Sequence, residues 1–303
     1  MVIQMRTAIL FWFILLLLFG PARLNSDIIH KERSLYSNVI VKKIGANTCL
    51  QFTVRKDTKN QSCFNPRAPE RLVFAYAKMT MASILLMPEP KHILVVGLGG
   101  GTLPMAFHRL FPTAVIHAIE IDTAVTKVAK KYFDFAENDQ IKVFDQDGRV
   151  FTKRALANSF KYDLIILDAF NGDYIPEHLM TQEYLQENKA ILSEKGLLAS
   201  NTFTTSALYD HESTTYASVF DPLLNFKRPE TNNRILLAPS EPIDRAQIVS
   251  RAEKYGARMA NFNVPIADYA QDILAALDGQ PDWNTDARVL TDQYSPANLL
   301  NSR

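Results

Sequence analysis

The sequence lacks an excess of charge of either sign. Its 303 residues carry 33 Lys+Arg against 32 Asp+Glu. A global basic surface is absent, which argues against nucleic acid as a partner, and there is no acidic tail. Internal repeats and low-complexity tracts are also missing, which excludes solenoids and compositionally biased linkers. Cysteine is scarce: Cys49 and Cys63 are the only two, too few for a disulfide scaffold or a cysteine-rich zinc site. Long apolar runs are absent except at the start. Residues 8–20 carry no polar side chain, yet the run is shorter than the roughly 20 residues that span a bilayer comfortably.

That run fits the apolar region of a signal peptide, with Gly20-Pro21-Ala22 offering small residues for cleavage, or else an uncleaved anchor. Residues 1–24 are therefore expected to export the chain or tether it to a membrane on the periplasmic or envelope side. Arg6 before the run and Arg23, Lys31 and Arg33 after it do not fix the orientation, so a cytoplasm-facing anchor stays open. The cysteines bear on the same question. A hairpin turning about Lys56 places Cys49 opposite Cys63. Cross-strand neighbours lie close enough for a disulfide. Such a pair is oxidised in an exported protein, and in the cytosol it reads as two buried thiols.

What is present is enough apolar residue, 47%, to bury a large core. Residues 35–74 read as a small β-rich domain of short alternating runs. Residues 70–87 have helical spacing, and 75–90 form a linking helix. From residue 91 strands and helices alternate. Strands are expected at 92–96, 114–121, 140–144, 162–167 and 197–203, and helices at 102–111, 124–133, 149–158 and 181–192. This is a βαβ array, hence an α/β fold with a parallel sheet covered on both faces. Residues 223–228 and 234–238 flank a polar turn and read as an antiparallel hairpin. A parallel sheet that ends in a hairpin suits the Rossmann-like variant of S-adenosylmethionine-dependent methyltransferases, here spanning 91–240. Residues 241–303 form a helical extension, with a helix at 267–277 and a turn at 290–296.

The strongest local signal is Val95-Val96-Gly97-Leu98-Gly99-Gly100-Gly101-Thr102. It follows a strand and opens a helix, where glycines allow a sharp turn and close ligand approach. The helix N-terminus adds unpaired N–H donors. The dinucleotide fingerprint needs a third glycine where Thr102 stands, so that pattern is broken. Glu120 ends the second strand and can accept two hydrogen bonds from a ribose diol. Asp147-Gly148 follows the third strand: Asp147 either accepts from an adenine amino group or caps the next helix. Asp168 ends the fourth strand, where open α/β sheets bind ligands, and Asp173 lies in the following loop. Carboxylates there suit orientation or deprotonation of an amine.

These residues resemble the spermidine synthases, the polyamine aminopropyltransferases, over roughly residues 35–203. The resemblance rests on Ser37-Asn38-Val39, Phe74-Ala75-Tyr76, the glycine-rich turn, Glu120-Ile121-Asp122, Asp147-Gly148 and Asp168. It implies a small β-domain before a methyltransferase-like domain, decarboxylated S-adenosylmethionine as donor and a small diamine as acceptor. By this resemblance Gly97, Gly99, Gly101 and Gly148 shape the nucleoside site, Glu120 holds the ribose and Asp147 the adenine. Asp168 positions or deprotonates the attacking amine, and Tyr76 and Asp173 line its pocket. No metal is required. The departures are specific. The family's turn carries an Asp where Gly100 stands. Its Asp-Ser-Ser-Asp-Pro reads Asp168-Ala169-Phe170-Asn171-Gly172, and the Gln-Glu after the tyrosine reads Ala77-Lys78. A diamine dication needs carboxylates at both ends, because an unpaired buried charge is costly. The leading expectation is aminopropyl transfer to an amine. The alternatives are methyl transfer from S-adenosylmethionine and a non-catalytic envelope protein that keeps the fold. The oligomeric state stays open, with a homodimer allowed.

Overall fold

The hydrogen-bonding alternation that the sequence suggests is realised as two sheets in a computed structural model, which describes residues 26–53, 59–170 and 174–296. The expected leader, residues 1–24, and Asp173 with its neighbours Asn171 and Gly172 lie outside the described residues. The first sheet is a four-stranded antiparallel meander of β1 (Ser26–Arg33), β2 (Asn38–Ile44), β3 (Asn47–Thr53) and β4 (Asn60–Phe64). It begins ahead of residue 35, because β1 pairs with β2 from Arg33↔Asn38 back to Ser26↔Ile44. Its Asp27, Lys31, Glu32 and Arg33 hid it: charges are what an edge strand carries.

The second sheet has seven strands. They are β5 (His92–Val96), β6 (Val115–Glu120), β7 (Ile141–Asp145), β8 (Tyr162–Leu167), β9 (Leu192–Phe203), β10 (Leu224–Lys227) and β11 (Asn233–Pro239). Their order is β10-β11-β9-β8-β5-β6-β7, with β5 to β9 parallel and the β10–β11 hairpin antiparallel to β9. The strand order reverses at β5, between β6 and β8, so the ligand crevice of such a sheet lies outside the carboxyl ends there. Side chains alternate across the sheet. Ile93, Val95, Ile116, Leu164 and Ile166 enter one core with Phe107, Ile248 and Tyr269. Leu94, Val96, Ile119, Ile165 and Leu167 enter the other with Phe151, Tyr184 and Tyr216.

Eight helices complete the described residues: α1 (Ala75–Thr80), α2 (Thr102–Leu110), α3 (Thr123–Tyr132), α4 (Gly148–Ala157), α5 (Gln182–Ile191), α6 (Tyr209–Ala217), α7 (Arg245–Asn261) and α8 (Ile266–Ala276). The helix expected over 70–87 is cut to α1 followed by a 3₁₀ turn, Met81–Leu85. Residues before it are held otherwise: Arg71 N–H donates to Ala68 O, and Leu72 N–H donates to Phe262 O. The segment is buried nearly all round, from Ala77 through Leu85, so it has no polar face to terminate the pattern. The small sheet rests on α3, with Val39, Val41 and Leu50 against Ala124, Val125 and Val128. That contact sets the meander over the open end of the large sheet.

Candidate active site

The carboxyl ends of β5, β6, β8 and β9 converge with α1 and β4 around one cavity of about 750 Å³. Its shape begins with glycine. Gly97 has φ +100°, and a Cβ there would lie 2.3 Å from the Asp168 carbonyl oxygen. The close approach is fixed by Gly97 N–H donating to Ile119 O and Asp168 N–H to Val96 O, both 2.8 Å. Only glycine fits both the conformation and the gap. Gly99 (φ +53°) also lines the cavity. Gly148, at the start of α4, lines it too, and a Cβ there would meet Val96 Cγ1 at 2.5 Å.

Gly101, expected as a ligand-binding glycine, does not line the cavity. It is the left-handed N-cap of α2, and a Cβ would strike Phe135 at 2.4 Å. Its work is turn geometry and packing, between Gly99 and Thr102, which do line the cavity. Gly100 is also turned inward: a Cβ would lie 2.7 Å from both Phe133 and Ser62 Oγ. The acidic side chain that the family carries at this position has no room here. Its loss belongs to the packing of β4 onto the turn.

Glu120 lines the cavity with its carboxylate already oriented. Oε2 accepts from Leu98 N–H at 3.1 Å and Oε1 from Asp122 N–H at 3.0 Å. Burial pushes its pKa up, against those backbone hydrogen bonds. A carboxylate has about four acceptor directions in all, and backbone N–H groups of Leu98, Asp122 and Gly99 take up three of them, which leaves about one toward the cavity. Asp147 fulfils the cap that was weighed against the adenine role: Oδ1 accepts from Val150 N–H at 2.9 Å. Its Oδ2 meets His178 Nε2 at 2.8 Å. That contact, followed by burial acting in the opposite sense, leaves its pKa below the usual carboxylate range. Asp147 and His178 both line the cavity, so this edge presents a carboxylate and an imidazole side by side.

Asp168 faces the cavity from the end of β8. Oδ1 accepts from Asn201 Nδ2 at 2.8 Å, and Tyr76 hydrogen-bonds the same carboxylate. Enclosure pushes its pKa up to about 7, opposed by those two hydrogen bonds. Burial, then the neighbouring Asp168 charge, raises Tyr76 well above the ordinary phenol, which keeps its proton in place as a donor. A directed chain lies behind Asn201. Asn233 Nδ2 donates to Asn201 Oδ1 at 2.9 Å, and Thr231 Oγ1 donates to Asn233 Oδ1 at 2.9 Å. Each bond fixes the amide orientation of the next, so Asn201 presents its NH₂, not its oxygen, to Asp168. The sequence reading missed Asn201, Asn233 and His178. Asn201 was findable by the rule that found Asp168, a polar residue at the carboxyl end of a parallel strand. Asn233 and His178 gave no local signal.

Cys49 and Cys63 are directly opposite in the β3–β4 pairing and are joined by a disulfide. Ser62, beside it, lines the cavity.

Comparisons with known proteins agree with this geometry. The sequence profile of the spermine/spermidine synthase domain matches residues 73–221. A polyamine aminopropyltransferase of Vibrio vulnificus is 44% identical over 279 residues, covering 91% of this chain and 92% of that protein. A probable spermidine synthase from Corynebacterium glutamicum superposes with a TM-score of 0.63 at 17% identity, covering 85% of this chain and 99% of that one. Human methyltransferase-like protein 13, solved in complex with SAH, superposes at 0.55 with 25% identity, covering 73% and 100%. The glycine-rich turn, the Glu120 and Asp168 strand ends and the two-sheet architecture thus occur in a chain that belongs to the spermine/spermidine synthase family, the polyamine aminopropyltransferases.

Proposed function

We propose that the chain transfers an aminopropyl group from decarboxylated S-adenosylmethionine to an amine. The single observation that carries this is Asp168, which stands in the same cavity as Glu120, held by Tyr76 and Asn201, with a pKa raised to about 7. Glu120 takes a ribose hydroxyl, and the glycine-rich turn lets the nucleoside lie close to the backbone. The acceptor amine binds at Asp168 and passes a proton to it. Its lone pair then attacks the methylene next to the sulfonium. The new N–C bond forms as the C–S bond breaks, the bonding electrons go to sulfur, and a neutral thioether nucleoside leaves. A carboxylate poised near neutral pH suits that proton transfer. Tyr76 and the Asn201–Asn233–Thr231 chain hold it in one orientation.

The test is transfer from decarboxylated S-adenosylmethionine to a panel of amines, with wild type beside Asp168→Asn. A general base of this kind contributes about 10²–10⁴-fold, so the variant should lose that factor in turnover while nucleoside binding stays near wild type. Methyl transfer is the second reading. It is favoured by one observation, the absence of room for an acidic side chain at Gly100. The same panel run with S-adenosylmethionine decides between them. We also propose an exported or membrane-tethered location through residues 1–24. The apolar run at 8–20 and the Cys49–Cys63 pair support it, and fractionation of the full chain tests it.

A further inference from the structure

On the β9 side of Asp168 the cavity wall changes from polar to aromatic. Asp168 follows β8, Asn201 lies near the end of β9, and a 2.8 Å hydrogen bond joins them. Two residues further along each segment stand Phe170 and Phe203. Their rings meet with centroids 5.1 Å apart at an angle of 55°. All four residues line the cavity. Asn201 and Phe203 share a face of β9, because side chains alternate along a strand, and two residues span about 6.6 Å. The sheet order fixes which side of the site this is. Glu120 ends β6, Asp168 follows β8 and Phe203 ends β9, and β5 and β8 stand between β6 and β9. The aromatic pair therefore lies on the far side of Asp168 from Glu120. Both rings are half-buried, and neither enters the two packed cores of the large sheet. Apolar surface bordering a cavity favours a ligand that covers it. Phe170 also stands where the family's Asp-Ser-Ser-Asp-Pro has its second serine, so one half of this wall replaces a small hydroxyl side chain.

We propose that Phe170 and Phe203 select the acceptor by its hydrocarbon chain: the reacting amine sits at Asp168, and the methylenes that follow it lie along the two rings. The proposal rests on the aminopropyltransferase reading and names the residues that choose among its acceptors. An amine at Asp168 has the nucleoside on one side, so its chain leaves on the other, over β9. A straight chain of several methylenes covers both rings, and a shorter one leaves part of them uncovered. A diamine is compatible with this wall. Glu230, in the turn that leads into β11, lines the same side of the cavity and offers negative charge to a second ammonium. The bond changes of the transfer are unaltered, because the rings act by binding alone.

The experiment titrates the full chain, saturated with methylthioadenosine, with propylamine, butylamine and pentylamine in a calorimeter. Each methylene moved from water onto apolar surface changes affinity about fourfold, so the wild-type Kd should fall by about that factor per added carbon. Phe203→Ala and Phe170→Ser should each flatten the series to about twofold or less per carbon. Their affinity for methylthioadenosine itself should stay at the wild-type value, which shows that they fold. Phe203→Leu keeps an apolar side chain and should keep most of the slope. In transfer, the kcat/KM ratio of diaminopentane to diaminopropane should fall by about fourfold in the two flattened variants, the same change taken over two carbons. A wild-type Kd indifferent to chain length, a series equally steep in the variants, an unchanged transfer ratio, or no binding of any alkylamine overturns the proposal. If no amine is used in transfer, the aminopropyl reading falls separately, and the Kd series still decides whether the rings hold the chain.

Discussion

At the residue scale, Asp168 is a destabilising group kept for its chemistry. A carboxyl whose pKa in the folded chain is about 7 holds its proton more tightly there than in the unfolded chain. Below the unfolded value both states are protonated and no penalty exists. As pH rises above that value the unfolded chain ionises first, and stability falls by roughly 1.4 kcal/mol per pH unit until pH passes about 7. Asp168→Asn removes this penalty. Thermal unfolding of the two proteins should therefore show the variant gaining stability, and gaining more at pH 8 than at pH 5. Activity should move oppositely. The wild-type kcat/KM should carry an acidic limb near pH 7, where the carboxylate is protonated and cannot take the proton, and that limb should be absent in the residual activity of the variant. An equal gain at both pH values would mean that the carboxyl titrates in its ordinary range. Asp168 was legible in sequence because a polar residue ends an apolar strand. Its pKa was not, because the enclosure comes from α1 and β9, far away in the chain.

At the element scale, α6 shows why part of the fold was illegible. Residues 209–217 contain Asp210, His211, Glu212, Ser213, Thr214 and Thr215, with no apolar stripe. Yet Glu212, Ser213 and Thr215 are buried. The partner of Glu212 and Ser213 is Arg234 of β11, which is 0% exposed, while Thr215 Oγ1 donates to His211 O and accepts from Leu290 N–H. Arg234 donates to Thr202 Oγ1 and Ser213 Oγ at 2.6 Å and to Glu212 Oε2 at 3.1 Å, and it lies 3.8 Å over the Tyr209 ring. A polar face is buried here because a strand residue, adjacent to Asn233, supplies its donors. Periodicity cannot reveal that. By contrast α7 buries Ile248, Ala252, Tyr255 and Met259 at helical spacing, a regular signal that fell within the helical extension expected over residues 241–303, although its bounds were not given there. Removing one member of a buried pair strands the other, at a cost of about 3–5 kcal/mol. Glu212→Ala should lower the unfolding free energy measured by urea denaturation by that amount. Replacing the pair, Glu212→Leu with Arg234→Met, should recover much of it. If the single variant unfolds like wild type, the cluster contributes nothing to holding α6 against the sheet.

At the scale of the whole molecule, the site exists because two sheets of different construction meet. The large sheet was legible as a βαβ array with a terminal hairpin, and its strand ends supply Glu120 and Asp168. The cavity wall opposite them comes from the small sheet, and its placement was not legible. Ser62 packs on the glycine-rich turn, so close that Gly100 can carry no side chain. Tyr76 Oη reaches Gln61 O at 3.4 Å. The strand bearing Gln61 and Ser62 is tied to β3 by Cys49–Cys63. With a sequence separation of 14, the loop it closes is of a size for which chain entropy gives about 3 kcal/mol. The bond thus steadies the strand that lids the turn. Cys49→Ser with Cys63→Ser should unfold at lower denaturant than wild type. It should also bind methylthioadenosine more weakly, because a β4 free to lift uncovers the turn. Protein isolated from its native compartment, denatured without reductant, should titrate no free thiol. Two titratable thiols would show that the cavity is closed without the crosslink, and the double serine variant should then match wild type in both stability and affinity.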